Sequence, residues 1–488
     1  MTHYKNQNAF RLIAGLWITG GWLYFACSIV NHESFAQALP PYAAVIGAEK
    51  SQKMGAKNAG YPLTLQYLGK DAGQWLKQRG IYLNGRILSQ QQWQVSGGLK
   101  KGGFFEGFIG AGIDFDLQTL LGIRNAVIHT YVGSLQGQPY YSMTGSALNY
   151  NRAWVYGDEF RLAELTWEQT FLDKKIRILA GRSSLSTEFN FSPTYCTFAY
   201  AGCANPSFYI FDKSSAPYLT GTWGTTIKYK PVKTVYIKTG IWQTQSSLMK
   251  RNHNNWPGKD WAFGETTGMD LPVEIGYVRA PMNYRYSGRY DIGAFWDTAP
   301  YIDQYYNTQW KSRGMYGGIP KKFKGRTGIY LQAEQVIWRP SMQDSQEIIL
   351  FGGADWRTGG YTPIQHQVFF GVRDIGFGTI SKHDTIGIHF QYLQLSQRLT
   401  RRLDDTFKHS GFSARSQRNK EFGLEIDYGF GLAPGIQLMP FMHYSWNPDQ
   451  LYSAHPKPNV NHAMVTGLVF TALLNQALGL PQKFKDPF

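Results

Sequence analysis

The sequence is poor in cysteine, in charge and in long apolar runs, and each shortage narrows what the chain can be. Its 488 residues include three cysteines, Cys27, Cys196 and Cys203. That excludes a disulfide-dense scaffold and the zinc modules built on several paired cysteines. Charged residues make up 17%, below the quarter or so usual for a soluble domain. Beyond residue 30 no long apolar run occurs, and the mean hydropathy is −0.34, which argues against a bundle of membrane helices. A membrane barrel is untouched by that argument, because only every second residue of its strands must be apolar. No G-x-S-x-G elbow, P-loop or H-E-x-x-H pattern is present, and the histidines are dispersed. The sequence therefore offers no nucleophile elbow, phosphate cradle or metal-ligand set, and no enzyme activity, metal or cofactor is expected.

What the chain has in quantity is aromatic and small. Aromatics reach 16%, and there are 53 glycines, which suits an all-β protein with many turns. The net charge of +16 points to acidic lipid or anionic solutes, or simply to scattered solvated charges. Nucleic acid is disfavoured, because no basic helix or zinc-ligand cluster accompanies the dispersed cations.

At the N-terminus Lys5 and Arg11 precede the uncharged run Leu12–Val30, and Ala36-Gln37-Ala38 follows as a small-x-small cleavage pattern. This predicts an export signal over residues 1–38, cleaved near Ala38, with an uncleaved anchor as the competing reading. Without Cys27, an even pair remains in an exported chain, so Cys196 and Cys203 are expected to form a disulfide; two free thiols are the alternative.

From Ile81 onward apolar and polar residues alternate in segment after segment. In FFEGFIGAGIDFDLQTL (104–120), Phe105, Ile109, Ala111, Ile113, Phe115 and Leu117 share one parity, while Glu106, Asp114 and Asp116 share the other. A period of two sends these sets to opposite faces of a strand. AELTWEQ sets Ala163, Leu165 and Trp167 against Glu164, Thr166 and Glu168, and EFGLEIDYG sets Phe422, Leu424, Ile426 and Tyr428 against Glu421, Glu425 and Asp427. Sixteen such segments can be placed between Ile81 and Phe470. Three features favour a membrane barrel over a soluble sandwich. The polar parity carries both acids and bases, aromatics such as Trp167, Trp223, Tyr229, Trp296 and Tyr428 end the apolar parity, and short turns alternate with long loops. The short turns (Leu172–Lys174, Pro231-Val232, Ala433–Gly435) are read as periplasmic and the long loops as extracellular.

The expected architecture is thus an all-β, transmembrane antiparallel β-barrel of sixteen strands. It divides into a signal peptide (1–38), a periplasmic or plug segment (39–78), a barrel pore (79–470) and a C-terminal extension (471–488). In KDAGQWLKQRG a short helix is expected, with Asp71 and Gln74 as a capping box and Gly80 as its end. The aromatic loop Thr187–Leu219 is long enough to be functional and is expected to fold into the lumen. Carboxylate pairs such as Glu164/Glu168 and Glu425/Asp427 allow a hydrolase reading, but on alternating strands they are more simply lumen-facing. A lumen of arginine, lysine, acids and aromatics suits sugars, whose hydroxyls exchange hydrogen bonds with charged groups and whose apolar faces lie on rings. Excess positive charge favours anions instead, and composition alone does not select the solute.

The order and spacing of several segments resemble the carbohydrate-selective porins of Gram-negative outer membranes, the OprB group. GKDAGQWLKQRGIYLNGRI, RLAELTWEQTFLDKKIRILAGR followed by TEFNF, GRYDIGAFWDT, GIYLQAEQVIWRP and LMPFMHYSWNP carry the resemblance, which runs from about Gly69 to Phe470. It implies a sixteen-stranded barrel narrowed by inward-folded loops and the N-terminal segment, passing glucose and other sugars between arginines and acids. Carried onto matching positions, it makes Arg86, Glu106, Asp114, Glu164, Glu168 and Arg182 the expected solute path. Small carbohydrates, outer-membrane lipid or lipopolysaccharide and further copies of the chain are the expected partners. A general or anion-preferring porin is the alternative, and an outer-membrane barrel hydrolase a more distant one. Two departures stand out: TALLNQALGLPQKFKDPF follows Phe470, where such barrels usually end, and His443 stands where the family has glutamine.

Overall fold

The computed structural model describes residues 61–483, apart from 64, 139, 147–158, 201–220, 246–262, 281–282, 343, 359–361, 377–380, 413–418, 451–456 and 458–459. The signal peptide, Cys27 and Cys203 lie outside the described residues. Each of the sixteen predicted segments overlaps one strand: β1 Ile81–Gly97, β2 Gly102–Asp116, β3 Ala126–Gly137, β4 Glu159–Phe171, β5 Ile176–Ser183, β6 Thr222–Val232, β7 Val235–Thr244 and β8 Gly268–Arg279 come first. The circuit continues through β9 Gly288–Asn307, β10 Pro320–Trp338, β11 Glu347–Arg357, β12 Ile364–Ile375, β13 Thr385–Leu395, β14 Lys420–Ala433, β15 Ile436–Trp446 and β16 His462–Leu473. Every strand is antiparallel to its sequence neighbours, and β1 pairs with β16, so the sheet closes with no free edge.

The two parities separate as the sequence predicts. Ile109, Ile292, Trp296 and Phe370 stand exposed on the outer wall, whereas Glu106, Asp114, Asp291 and Glu425 are buried on the inner one. Trp167, Tyr229, Tyr290 and Trp446 join Trp296 among the exposed aromatics of the outer face, the arrangement of an interfacial girdle. Many glycines have a packing reason. On the inner wall the Tyr330 ring lies across Gly293, where an added Cβ would come within 2.2 Å of its Cζ, and Tyr236 lies across Gly276 at the same separation.

Both ends of the described chain meet at one rim. Helix α1 (Lys70–Gln78) precedes β1, and its Gly69 amide donates to the Leu478 carbonyl beyond β16 (3.0 Å). Lys483 pairs with Asp116 at 2.8 Å. This rim also carries α2 (Leu117–Leu121) and the C-terminal turn of helix α6 (Leu474–Ala477). The opposite rim carries α3 (Tyr141–Thr144), α4 (Arg313–Tyr316) and α5 (Gln397–His409).

Local details depart from the sequence reading for identifiable reasons. Asp116 ends β2 by accepting the Gln118 amide as an N-cap, so Leu117 starts a helix and is buried rather than continuing the outward parity. Helix α1 has no capping box: Gly69 is its N-cap, without a side-chain bond, and Asp71 lies in the first turn. Its end is as expected, with Gly80 at φ +72° donating to Lys77. Pro231 and Val232 finish β6, which places the turn at Lys233-Thr234. On β4, Tyr131 pairs with Glu164 but Val132 with Leu162, leaving Ala163 as an extra residue. Such a bulge resets the alternation, so Ala163 turns inward with Arg161, and Glu164 reaches the inward-facing Thr166 hydroxyl at 2.8 Å. Finally, β16 continues past Phe470 to Leu473, which pairs with Arg86 and completes the closure.

Candidate functional site

After β5 the chain turns into the barrel. Residues 184–200 form a strap with single 3-10 turns at Leu185–Thr187 and Tyr195–Thr197, and Leu185, Phe189, Tyr195, Phe198 and Tyr200 are all buried. A segment with so little regular structure must satisfy its amides elsewhere, and here the inner wall supplies the acceptors. Glu188 takes a bidentate pair from Arg177 (2.8 and 3.2 Å), and its carbonyl accepts from Lys238. The Asn190 amide donates to Glu274 at 3.1 Å, and the Phe191 carbonyl accepts from Arg289. Glu334 on β10 accepts from the Ser192 hydroxyl (2.6 Å) and from the amide and hydroxyl of Thr194 (3.2 and 2.9 Å). Glu425 on β14 accepts the consecutive amides of Ala199 and Tyr200, both at 2.7 Å. The far end is held by the Tyr200 hydroxyl donating to Gln92 on β1 (2.7 Å) and by Gln391 donating to the Tyr200 carbonyl (2.6 Å). Burial, followed by the nearby Glu106 and Glu425 carboxylates, raises the Tyr200 hydroxyl well above its ordinary range, so it remains a donor. Anchors from β5, β8, β10, β14 and β1 mean that the strap crosses the interior of the barrel.

The same acids and bases join into a belt around the inner wall. Asn84 donates to Asp114 (2.9 Å), Asp114 lies 2.8 Å from His129 Nδ1, and Glu168 receives Arg177 Nε at 2.7 Å. On the other side of the strap, Glu274 accepts from Lys238, Tyr236 and Tyr330, each at 2.7 Å, as well as from Asn190. Four donors fill the four lone-pair positions of a carboxylate. Charges buried in this way are tolerated because each of these carboxylates faces a donor or a cation, and removing a partner would leave an uncompensated buried charge.

Aromatic faces complete the lining. Tyr195 stacks on Phe369 at 4.2 Å, and Phe198 meets Phe351 at 5.4 Å. The Arg373 guanidinium lies 3.8 Å above the Phe198 ring while pairing with Asp427 (2.5 and 3.1 Å). At the rim with the longer connections, Ser396 caps α5 by accepting the Leu399 amide, and the helix buries Leu399, Leu403 and Phe407. Leu399 and Leu403 join one cluster with Tyr140, Met143, Tyr200 and Phe441. At that rim Gln91, Gln92, Trp93, Gly103, Phe104, Phe105, Gly137 and Gln138 surround a cavity of about 440 Å³.

Of the predicted path residues, Arg86, Glu106, Asp114 and Glu168 lie buried on the inward parity, and Glu164 reaches the inward Thr166. Arg86 is buried, 6.0 Å from the Phe108 ring. Glu106 receives Gln92 (2.9 Å) and the Tyr140 amide (3.3 Å); Asp114 and Glu168 belong to the belt. Arg182 is also buried, but on the rung of Leu165 and Trp223, one step from the rung of Thr166. Cys196 is disulfide-bonded. The sequence reading missed the anchoring role of Glu274, Glu334 and Glu425, because an acid on the inward parity looks the same whether it meets solute or a loop amide. It also missed α5, although Leu399, Leu403 and Phe407 recur every four residues after a capping serine.

Comparison with known proteins agrees with this architecture. Porin B of Pseudomonas aeruginosa is 20% identical over 375 residues, covering 73% of this chain and 79% of that protein. The high-pH structure of Pseudomonas putida OprB superposes with a TM-score of 0.74 at 17% identity, over 84% of this chain and 99% of that one. The low-pH structure of the same protein gives 0.51 at 14% identity over the same shares. These likenesses establish the porin barrel. The pattern of the carbohydrate-selective porin, OprB family, matches residues 100–472. With its sixteen-stranded outer-membrane barrel, non-enzymatic and built around an inward strap, the chain belongs to the OprB family of carbohydrate-selective porins.

Proposed function

We propose that glucose and related small sugars diffuse passively through the part of the lumen narrowed by the strap. The observation that carries this reading is the strap itself, held at fixed positions by wall carboxylates and packed through its aromatic rings against the inner wall. Sugar hydroxyls exchange hydrogen bonds with charged groups that border the path. Phe198, buried with Arg373 over its face, and Arg86, buried beside Phe108, fix the shape of the constriction. Glu106, Asp114, Glu164 and Glu168 shape the wall of the path, and Arg182 acts at its margin. Passage requires contacts that form and break easily, which favours several shallow subsites over one deep pocket.

The rival reading, an anion-preferring channel, rests on the net charge of +16. Inside the barrel, however, Arg177, Arg289, Arg326 and Arg373 are each paired with a carboxylate, which supports neutral solutes. Single-channel recording with added solutes tests the choice. Block of the current by glucose or a short oligosaccharide is expected; block by phosphate or small carboxylates alone would reject the sugar reading. The proposal includes export with cleavage near Ala38, checked by N-terminal sequencing of the mature protein. It also includes assembly of several copies in the membrane, checked by cross-linking in intact outer membranes.

A further inference from the structure

β9 and β10, with 20 and 19 residues, are the longest strands described. Their paired residues run beyond the last partners of their neighbours, since β8 reaches only to Asp270 opposite Asp297, and β11 only to Arg357 opposite Gly328. The excess, residues 298–307 with 320–327, is a two-stranded ribbon rising from the rim opposite the chain ends. Its two faces carry opposite chemistry. Asp297 and Asp303 are buried on the inner face. On the outer face Lys324 stands opposite Pro300, and Lys322 opposite Ile302. Both lysines are exposed, and neither has an ion pair or hydrogen bond with a described residue. No acid occupies the outward positions from Tyr290 to Gln304 on β9, or from Lys322 to Ile337 on β10.

The height of these lysines follows from strand geometry. Tyr290 and Trp296, both exposed, bracket Ile292 and Ala294 on the outer face of β9. Six residues at about 3.3 Å each span roughly 20 Å along the strand, or about 15 Å of height at a tilt of about 40°, within an apolar band of about 25 Å. With Tyr290 at the lower girdle, the upper edge of the band falls about 10 Å above Trp296. Pro300 and Ile302 lie about 13 and 20 Å farther along the strand than Trp296, or about 10 and 15 Å in height, so the lysines opposite them stand at the upper edge of the band and just above it. Their ammonium groups therefore fall at headgroup level.

We propose that the outer face of the β9–β10 ribbon is a docking site for a phosphorylated glycolipid of the outer leaflet. Lys324 and Lys322 take its phosphates, and Trp296, Ile292 and Ile329 lie against its acyl chains. Charge complementarity and height together select this occupant: two cations without an acidic partner among the described residues sit directly above an apolar wall, where a lipid presents phosphate and hydrocarbon in that order. The site is independent of the sugar path, so either reading can fail alone.

Native mass spectrometry of the detergent-extracted porin, with added diphosphoryl lipid A, tests it. The native chain should carry a lipid A adduct, and the double variant Lys322→Glu/Lys324→Glu should reduce its occupancy at least tenfold. The arginine pair Lys322→Arg/Lys324→Arg should retain it, as should Lys233→Glu at the opposite rim. Dephosphorylated lipid A should bind at least tenfold more weakly, and equimolar inorganic phosphate should not displace the adduct. Heat-dependent gel migration verifies that each variant folds, and Lys322→Gln/Lys324→Gln replaces the glutamate pair if that pair does not assemble. Retention of the adduct in the charge-removing variant, indifference to the lipid phosphates, or displacement by inorganic phosphate would each overturn the proposal.

Discussion

Replacing Glu425 by alanine isolates the strap from the barrel that holds it. Glu425 accepts two successive amides, from Ala199 and Tyr200, each at 2.7 Å and each buried. The change leaves two buried donors without their acceptor, at about 1–3 kcal/mol apiece. Water entering the lumen recovers part of this, so a net loss of about 2–3 kcal/mol is expected, or roughly 30–150-fold in the ratio of docked to undocked strap. The anchors at Glu188, Asn190, Ser192 and Thr194 remain, so the effect is confined to the last residues, left with the ties of Tyr200 to Gln92 and Gln391. Glu425→Gln keeps one acceptor oxygen but turns an amide NH₂ toward a backbone N–H, and should give an intermediate effect. Planar-bilayer recording is the assay: the alanine variant should show higher and noisier conductance with weaker sugar block, while its heat-dependent gel migration stays that of a folded barrel. Unchanged conductance and unchanged sugar block in a correctly folded Glu425→Ala protein would refute the idea that the strap sets the constriction.

Four other perturbations probe separate parts of the molecule. Ile113→Arg, on the outer wall, should destabilise the inserted barrel by roughly 2–4 kcal/mol if it meets the membrane midplane, seen as a lower urea midpoint in lipid vesicles. Arg86→Gln, on the inner wall, should assemble normally and change conductance. Gly293→Ala forces its new methyl against Tyr330, displacing a hydroxyl that donates to Glu274. A loss of about 1–3 kcal/mol is expected, and Tyr330→Phe should lower the same urea midpoint by less. Leu403→Ala removes one of the buried contacts that seat α5, and should cost about 2 kcal/mol or more, read as faster proteolysis of the β13–β14 connection with the barrel intact.

The sequence reveals the wall of this protein more readily than its interior. A period of two survives in every strand because lipid and lumen make opposite demands on adjacent residues, so EFGLEIDYG can be oriented by inspection. Bulges break the rule locally: nothing in AELTWEQ announces that Ala163 is the unpaired residue of β4. Interior contacts are harder because they join positions far apart in the chain. Glu334 meets Ser192 and Glu425 meets Ala199 across separations of 142 and 226 residues, with no local pattern linking donor to acceptor. The acids of the lumen were legible as inward-facing, whereas their use as anchors was not. Helix α5 is the reverse case, since its signal is local and was obscured by the surrounding alternation.

The strap also imposes an order on assembly. Residues 184–200 precede their anchors on β7, β8, β9, β10, β13 and β14; of the anchors named above, Arg177 and Gln92 come earlier in the chain. During insertion the strap has nowhere to settle until β8, β10 and β14 have taken their places. The strap is therefore fully anchored only once β14 is in place, so the partition of the lumen is completed late in assembly.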